Sequence, residues 1–258
     1  MCLGFLRFDP SSAWPVLLAA VRDEDLSRAS AEPGPWWPDV RPGAVGGRDL
    51  RSGGTWLVVD PSAGALAAVF TPGAPTPDAA GLRSRGELPL LALTDPTLGA
   101  VDPTGYEPFA LLRADARTGS VTWWSWDRSS LSRVQVAPGL HVGNISGLDA
   151  TADSPRQARW VEAFRSAVPD PFDPAGEPRD RWHGWAALFD GALEPGRLDA
   201  LLGRHTTERG SYGTRSAALV ALPAEPGSAP VYDWSPTPWD PTTWVAALPR
   251  DQGSGRDG

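Results

Sequence analysis

Lysine is absent from the 258-residue chain, so all 23 basic residues are arginines. Without lysine there is no G-x-x-x-x-G-K-[ST] phosphate loop. Asparagine and cysteine occur once each, as Asn144 and Cys2. One cysteine forms no intramolecular disulfide, so nothing points to an oxidising compartment. The three histidines, His141, His183 and His205, lie too far apart for metal-ligand spacing. There is no G-x-S-x-G elbow, and no apolar run near the roughly 18 residues of a membrane span. The net charge of -8 comes with no basic block, which argues against nucleic acid or an anionic membrane as main partner. Arg7, Asp9 and Pro10 interrupt the short apolar start, so it does not read as a signal peptide, and the expected location is cytoplasmic. Scarce lysine and asparagine beside abundant Ala, Gly and Pro read as the coding bias of a GC-rich genome. Arginine number is therefore no guide to function.

What is present suffices for a sizeable core. Residues 2–8 and 15–21 are apolar runs that predict an opening pair of strands, and adjacent strands lie about 4.8 Å apart. That pairing brings Arg22, Asp23 and Glu24 beside Cys2. Residues 29–54 are rich in Pro and Gly around Trp36-Trp37 and read as a long loop or lid. Thr55–Val59 with Ala65–Thr71, and Phe109–Ala114 with Ser120–Trp126, read as hairpins, and Ser132–Val136 adds a strand. Helices are expected at 87–93, at 154–168 with Asp153 or Ser154 as cap, and over 182–189 and 197–202. Strands at 216–222 and 231–234 close the chain, and the polar residues 251–258 read as a disordered tail after one domain over 1–250. Strands, then helices, then strands, without regular alternation, predict an α+β fold of antiparallel sheets with helices on their outer faces.

Cys2 directly follows Met1. Removal of Met1, which so small a second residue permits, would leave a thiol and a free α-amine on one residue. A thiolate is the reactive form of cysteine, and the amine's reference pKa of about 7.7–8.0 suits a general base. On position alone, Cys2 equally opens a buried strand as a small apolar residue. Arg22-Asp23-Glu24 equally makes a solvated turn. Gly53-Gly54-Thr55-Trp56 makes the tight entry to a strand, with Trp56 lining a pocket. Asn144 is a turn residue or a specific hydrogen-bonding group, and His141 alone reads as a satisfied polar residue.

Taken in order, these segments resemble the transport-and-Golgi-organisation family, also called the NRDE family after its short motif. Met1-Cys2 matches its start, and Val21-Arg22-Asp23-Glu24 keeps three letters of the motif. Gly47-Arg48-Asp49-Leu50 and Gly53 to Leu57 match its G-R-D-L and G-G-T-W-L segments, Ser84-Arg85-Gly86 its S-R-G, and Tyr212 to Ser216 its Y-G-T-R-S. Val21 replaces the motif's asparagine, and Pro72 follows Thr71 where the family often has Thr-Asn.

The resemblance implies an N-terminal-nucleophile hydrolase fold, a four-layer αββα sandwich. Cys2 would then attack an amide or thioester carbonyl, with Arg22 and Asp23 orienting the N-terminus and Asn144 and Arg215 contacting oxyanion or substrate carboxylate. Thr55, Trp56 and Tyr212 would line the substrate pocket. The alternative is a carrier holding haem, an acyl-lipid or an acyl-CoA type ligand in that pocket without turnover. No cofactor is required by the first reading, and neither calls for a metal or an integral membrane anchor.

Overall fold

In the computed structural model, which describes residues 2–72, 81–170, 172–207 and 210–248, the apolar run at the start forms the middle of a sheet. Leu3–Phe8 (β1) and Val16–Asp25 (β2) pair antiparallel, with Leu3 opposite Val21 and Phe8 opposite Val16. Both strands are apolar at successive positions because both of their faces are covered. Val16 and Leu18 belong to one core, and Leu17, Ala19 and Val21 to another.

Along the chain follow Ser30–Gly34 (β3), Val45–Asp49 (β4), Leu57–Asp60 (β5) and Ala65–Phe70 (β6). Helix α1, Leu88–Thr94, precedes Phe109–Asp115 (β7), Ser120–Trp126 (β8) and Leu131–Gln135 (β9). Then come Gly139–Asn144 (β10), Gly147–Leu148 (β11), helix α2 (Pro155–Ser166) and the short helix α3 (Gly184–Ala187). Leu193–Pro195 (β12), Leu202–Thr207 (β13), Gly210–Leu222 (β14), Val231–Ser235 (β15) and Val245–Ala246 (β16) complete the described elements.

Two sheets result. One runs β11-β10-β1-β2-β14-β13-β12, with β15 on β14 and β16 on β15, and the other is the meander from β3 to β9. All pairings are antiparallel except β12 with β13. The inner core joins Leu6, Phe8 and Leu18 of the first sheet to Leu57, Phe70 and Trp123 of the second. On the far side of the first sheet, Phe5 stacks on Phe164 of α2 at 3.6 Å between centroids, and Trp185 and Phe189 pack alongside. On the far side of the second, Leu88, Leu90 and Leu93 of α1 cover Val58, Ala67 and Leu111. The order is therefore helix, sheet, sheet, helix: an α+β sandwich in four layers.

Three local expectations need correction. Residues 29–54 are not one loop, since β3 and β4 lie within them. The strand pattern is hidden because β3 is an edge, where Pro33 is tolerated. In β4, a Cβ on Gly47 would lie 2.2 Å from the Trp56 ring, so a glycine replaces the usual apolar residue. Residues 197–202 are not helical. Leu198, Leu201 and Leu202 mimic helical spacing, yet Leu198 is 84% exposed while the other two are buried ahead of and within β13. The segment 182–189 holds only a 3-10 turn at Asp180–Trp182 and the four residues of α3. Helix α2 matches expectation: Ser154 caps it by accepting from the Gln157 N–H, and Pro155 occupies its first turn. The segment 251–258 lies outside the described residues.

The strap carrying α3 is pinned to the first sheet by a buried charge pair. Arg181 Nε and Nη2 both donate to Asp233 of β15, and Trp182 Nε1 donates to the same carboxylate at 2.6 Å. Asp233 has no solvent exposure. Asp233→Ala leaves Arg181 buried without its counter-charge, and we expect a loss of about 3–5 kcal/mol in urea unfolding. A loss under about 1 kcal/mol would contradict this assignment.

Candidate active site

Side chains alternate across β1 and β2, and that alternation decides where each motif residue points. Cys2 and Ala20 pack against the inter-sheet core, and Arg22 continues the same face of β2. Asp23, one residue on, is turned to the helix side. There its Oδ2 accepts from Arg156 Nη1 of α2, and its Oδ1 accepts from Thr214 Oγ1 at 2.7 Å. Tyr212 Oη donates to the Asp23 carbonyl at 2.8 Å. The Asp23 backbone amide lies beside Cys2 and favours its thiolate, against the larger effect of burial. Asp23 acts on the thiol in two opposing ways, its charge raising the thiol pKa and its backbone amide lowering it, while its carboxylate anchors the strand to α2 and β14.

Opposite this pair β14 carries a bulge. Thr214 pairs with Asp23 and Ser216 with Arg22, so Arg215 is the extra residue. Bulges commonly sit beside functional sites because they re-aim side chains. The Arg215 side chain donates to the Leu26 carbonyl at 2.7 Å.

Cys2, Arg22, Asp23, Thr55 and Trp56 line one open cavity between the two sheets, with about 110 Å³ of room for water-sized molecules. Glu24, Arg28, Asp49 and Arg85 complete its charged wall. The Arg22 guanidinium lies 3.9 Å from the Trp56 ring centroid, donates to Ser30 Oγ and reaches Asp49 at 3.5 Å. Arg28 takes most of the Asp49 charge through a close pair. Arg85 donates to the Pro108 carbonyl and faces Glu107 at 3.4 Å. Burial lowers the pKa of both Arg22 and Arg85. Attraction to Asp49 raises that of Arg28 through a direct hydrogen bond. Thr55 spends its hydroxyl on Leu57, donating to its carbonyl at 2.8 Å, so it shapes the strand entry. A Cβ on Gly54 would fall 2.4 Å from the Gly86 carbonyl carbon, which is how the two glycine motifs bring Ser84 and Arg85 to the cavity.

Asn144 is brought close in the fold but not to the cavity. Fully buried at the end of β10, it donates to Ser154 Oγ and accepts from Gln157 Nε2, both at 2.9 Å, and so ties β10 to the start of α2. Arg215 likewise does not line it. Tyr212 stands behind Asp23 rather than at the wall, and burial pushes its hydroxyl pKa up. Val21 packs in the helix-side core, so a side-chain amide at that position would face the helices and not Cys2. Thr71 and Pro72 do line the cavity.

Arg28, Asp49, Arg85 and Arg156 were not singled out as site residues from the sequence. The first three lay within or beside motifs already visible, at Arg22-Asp23-Glu24, Gly47-Arg48-Asp49 and Ser84-Arg85-Gly86. Arg156, 133 residues from Asp23, carried no sequence signal. His141 has both ring nitrogens engaged, Nδ1 with Asp149 at 2.7 Å and Nε2 with the Ala137 carbonyl at 2.8 Å. Among the described residues no cluster of His, Cys, Asp and Glu is suited to a metal, and no helix is long and apolar enough to cross a membrane.

A family model described as Transport and Golgi organisation 2 matches residues 1–173, more than half of the chain, and the chain belongs to that family. The matched span contains every residue that lines the charged cavity. No curated protein matches the chain.

Burial raises the Cys2 thiol above its ordinary value of 9.0. In protein that retains Met1, iodoacetamide should therefore label Cys2 more slowly at pH 7.5 than it labels a cysteine peptide, with the rate still rising above pH 9. Faster labelling at pH 7.5 would contradict the burial effect. The hydrogen bond to Asp149 raises the His141 pKa above 6.5, so its contribution to stability is complete below the unfolded pKa and is lost as pH rises through the folded one. An NMR titration of His141 should give a midpoint above 6.5 that falls in Asp149→Asn, whereas an unchanged midpoint would remove Asp149 as the cause.

Proposed function

We propose that this member of the Transport and Golgi organisation 2 family is a cysteine hydrolase or acyl transferase of the N-terminal-nucleophile type. Its substrate carries an amide or thioester bond, and Cys2 is the nucleophile in protein from which Met1 has been removed. One observation carries the reading. The Cys2 thiol lines a cavity whose wall also carries Arg22 and Arg85, with the Asp23 backbone beside it.

The chemistry follows from those positions. With Met1 removed, the α-amine of Cys2 takes the thiol proton and later delivers it to the leaving group. The sulfur attacks the carbonyl carbon, and negative charge develops on the carbonyl oxygen. Arg22 is held by Trp56, Ser30 and Asp49 on the face of β2 that Cys2 shares, and it supplies a fixed positive charge for that oxygen. Asp23 is a positioning residue: its backbone amide lies beside the thiol, and Arg156, Thr214 and Tyr212 hold that segment in place. Asn144 and Arg215 act at one remove, Asn144 on the seat of α2 and Arg215 on the bulge.

The carrier reading draws less support for haem. His141 has both ring nitrogens engaged, and the cavity wall is charged where a porphyrin would need apolar faces. An acyl ligand bound without turnover uses the same residues and is separated from the enzyme by experiment.

Intact-mass measurement should show the mature chain lacking Met1. Incubation with an activated acyl ester should add one acyl mass to the Cys2 peptide near neutral pH, with hydrolytic turnover following. Cys2→Ala should abolish both. Retention of Met1, or turnover that persists in Cys2→Ala, would overturn the assignment.

A further inference from the structure

Cys2 faces a second space besides the charged cavity. Cys2, Arg22, Trp56 and Val69 belong to both linings, so they form the partition between them. The inner space lies between the sheets and is walled by Ala20, Ala68 and Ala218 with Leu57 and Phe70. It is almost wholly apolar and hardly roomier than one water molecule. Three alanines bound it where larger residues would close it, and Phe70 limits its depth beside Gly4, where a Cβ would lie 3.0 Å from the Phe70 ring.

The outer space has the opposite chemistry. Its carboxylates are already satisfied. Asp49 accepts from Arg28 and from Ser52, Asp23 from Arg156 and Thr214, and Glu24 from the Asp25 N–H. Arg22 faces Asp49 at 3.5 Å and Arg85 faces Glu107 at 3.4 Å, and Glu24 acts on both from the same wall. Burial makes their charge costly, yet both guanidinium groups stay protonated, so an anion set against them would be favoured.

We infer that the site sorts the two halves of its substrate, taking a one- or two-carbon acyl group into the alanine-walled slot and an anionic leaving group, carboxylate- or phosphate-bearing, against Arg22 and Arg85. This rests on Cys2 being the nucleophile. In the step, the sulfur bonds to the carbonyl carbon, the carbonyl–heteroatom bond breaks, and the leaving group departs with the thiol proton. Water then releases the short carboxylic acid and restores the thiol.

The test measures acylation of Cys2 by mass in full-length protein. Each rate is divided by that of a peptide with N-terminal cysteine, which removes intrinsic ester reactivity. 4-Nitrophenyl acetate should exceed 4-nitrophenyl octanoate by at least about ten-fold, the scale of a few methylenes refused by a rigid pocket. The acetate of 3-carboxy-4-nitrophenol should exceed its uncharged analogue, and Arg85→Gln should remove that preference. Ala68→Val should lower acetyl transfer several-fold. Equal or faster octanoyl transfer, or no preference for the charged leaving group, overturns the sorting while leaving the nucleophile in place. Failure of every ester to acylate Cys2, with iodoacetamide still labelling it, overturns the nucleophile and the sorting together.

Discussion

The site depends on how the backbone of Asp23 is held. Its carboxylate faces the helices, where Arg156 and Thr214 bind it, and its carbonyl accepts from Tyr212. Those three partners come from α2 and β14, both distant in sequence from β2. The backbone amide of the same residue is the one beside the Cys2 thiol. A buried carboxylate is expensive unless it is paired and hydrogen-bonded. Here the same bonds that satisfy it also fix the position of one amide. Asn144 extends the constraint, because it seats the beginning of α2, from which Arg156 projects.

Alternation along a strand buried on both faces makes this division possible. On the inner face of β2, Val16, Leu18 and Ala20 lead to Arg22 at the cavity. On the outer face, Leu17, Ala19 and Val21 lead to Asp23 under the helices. One strand therefore carries the charge that faces substrate and the charge that holds the scaffold, one residue apart. The bulge at Arg215 lies opposite this change from apolar to charged residues and lets β14 follow it.

Much of the sandwich was legible from short apolar runs and turn residues: the opening hairpin, β5 with β6, β7 with β8, and the capped helix α2. What escaped notice had physical causes. Strand β3 is an edge with little apolar content, and β4 uses glycines where Trp56 and Leu57 press on its backbone. The leucines at 198, 201 and 202 imitate a helix although one of them faces solvent. At the site, the pairing of β1 with β2 placed Arg22 and Asp23 beside Cys2. The direction of the Asp23 side chain was not read from the sequence, and the role of Arg156 depends on tertiary packing alone. The sequence leaves Asn144 open between a turn residue and a specific hydrogen-bonding group, and its side-chain partners Ser154 and Gln157 belong to the helix layer and not to the cavity.

The central claim is that the Asp23 anchorage sets the reactivity of Cys2. The most direct measurement is the Cys2 acylation rate in the paired variant Asp23→Asn with Arg156→Met. It removes both charges together, so neither is left buried alone and the fold is preserved. The account predicts a rate lower by about ten-fold or more, equivalent to roughly 1.4 kcal/mol of lost positioning, with unfolding still cooperative. Acylation at the wild-type rate in that folded variant would contradict it.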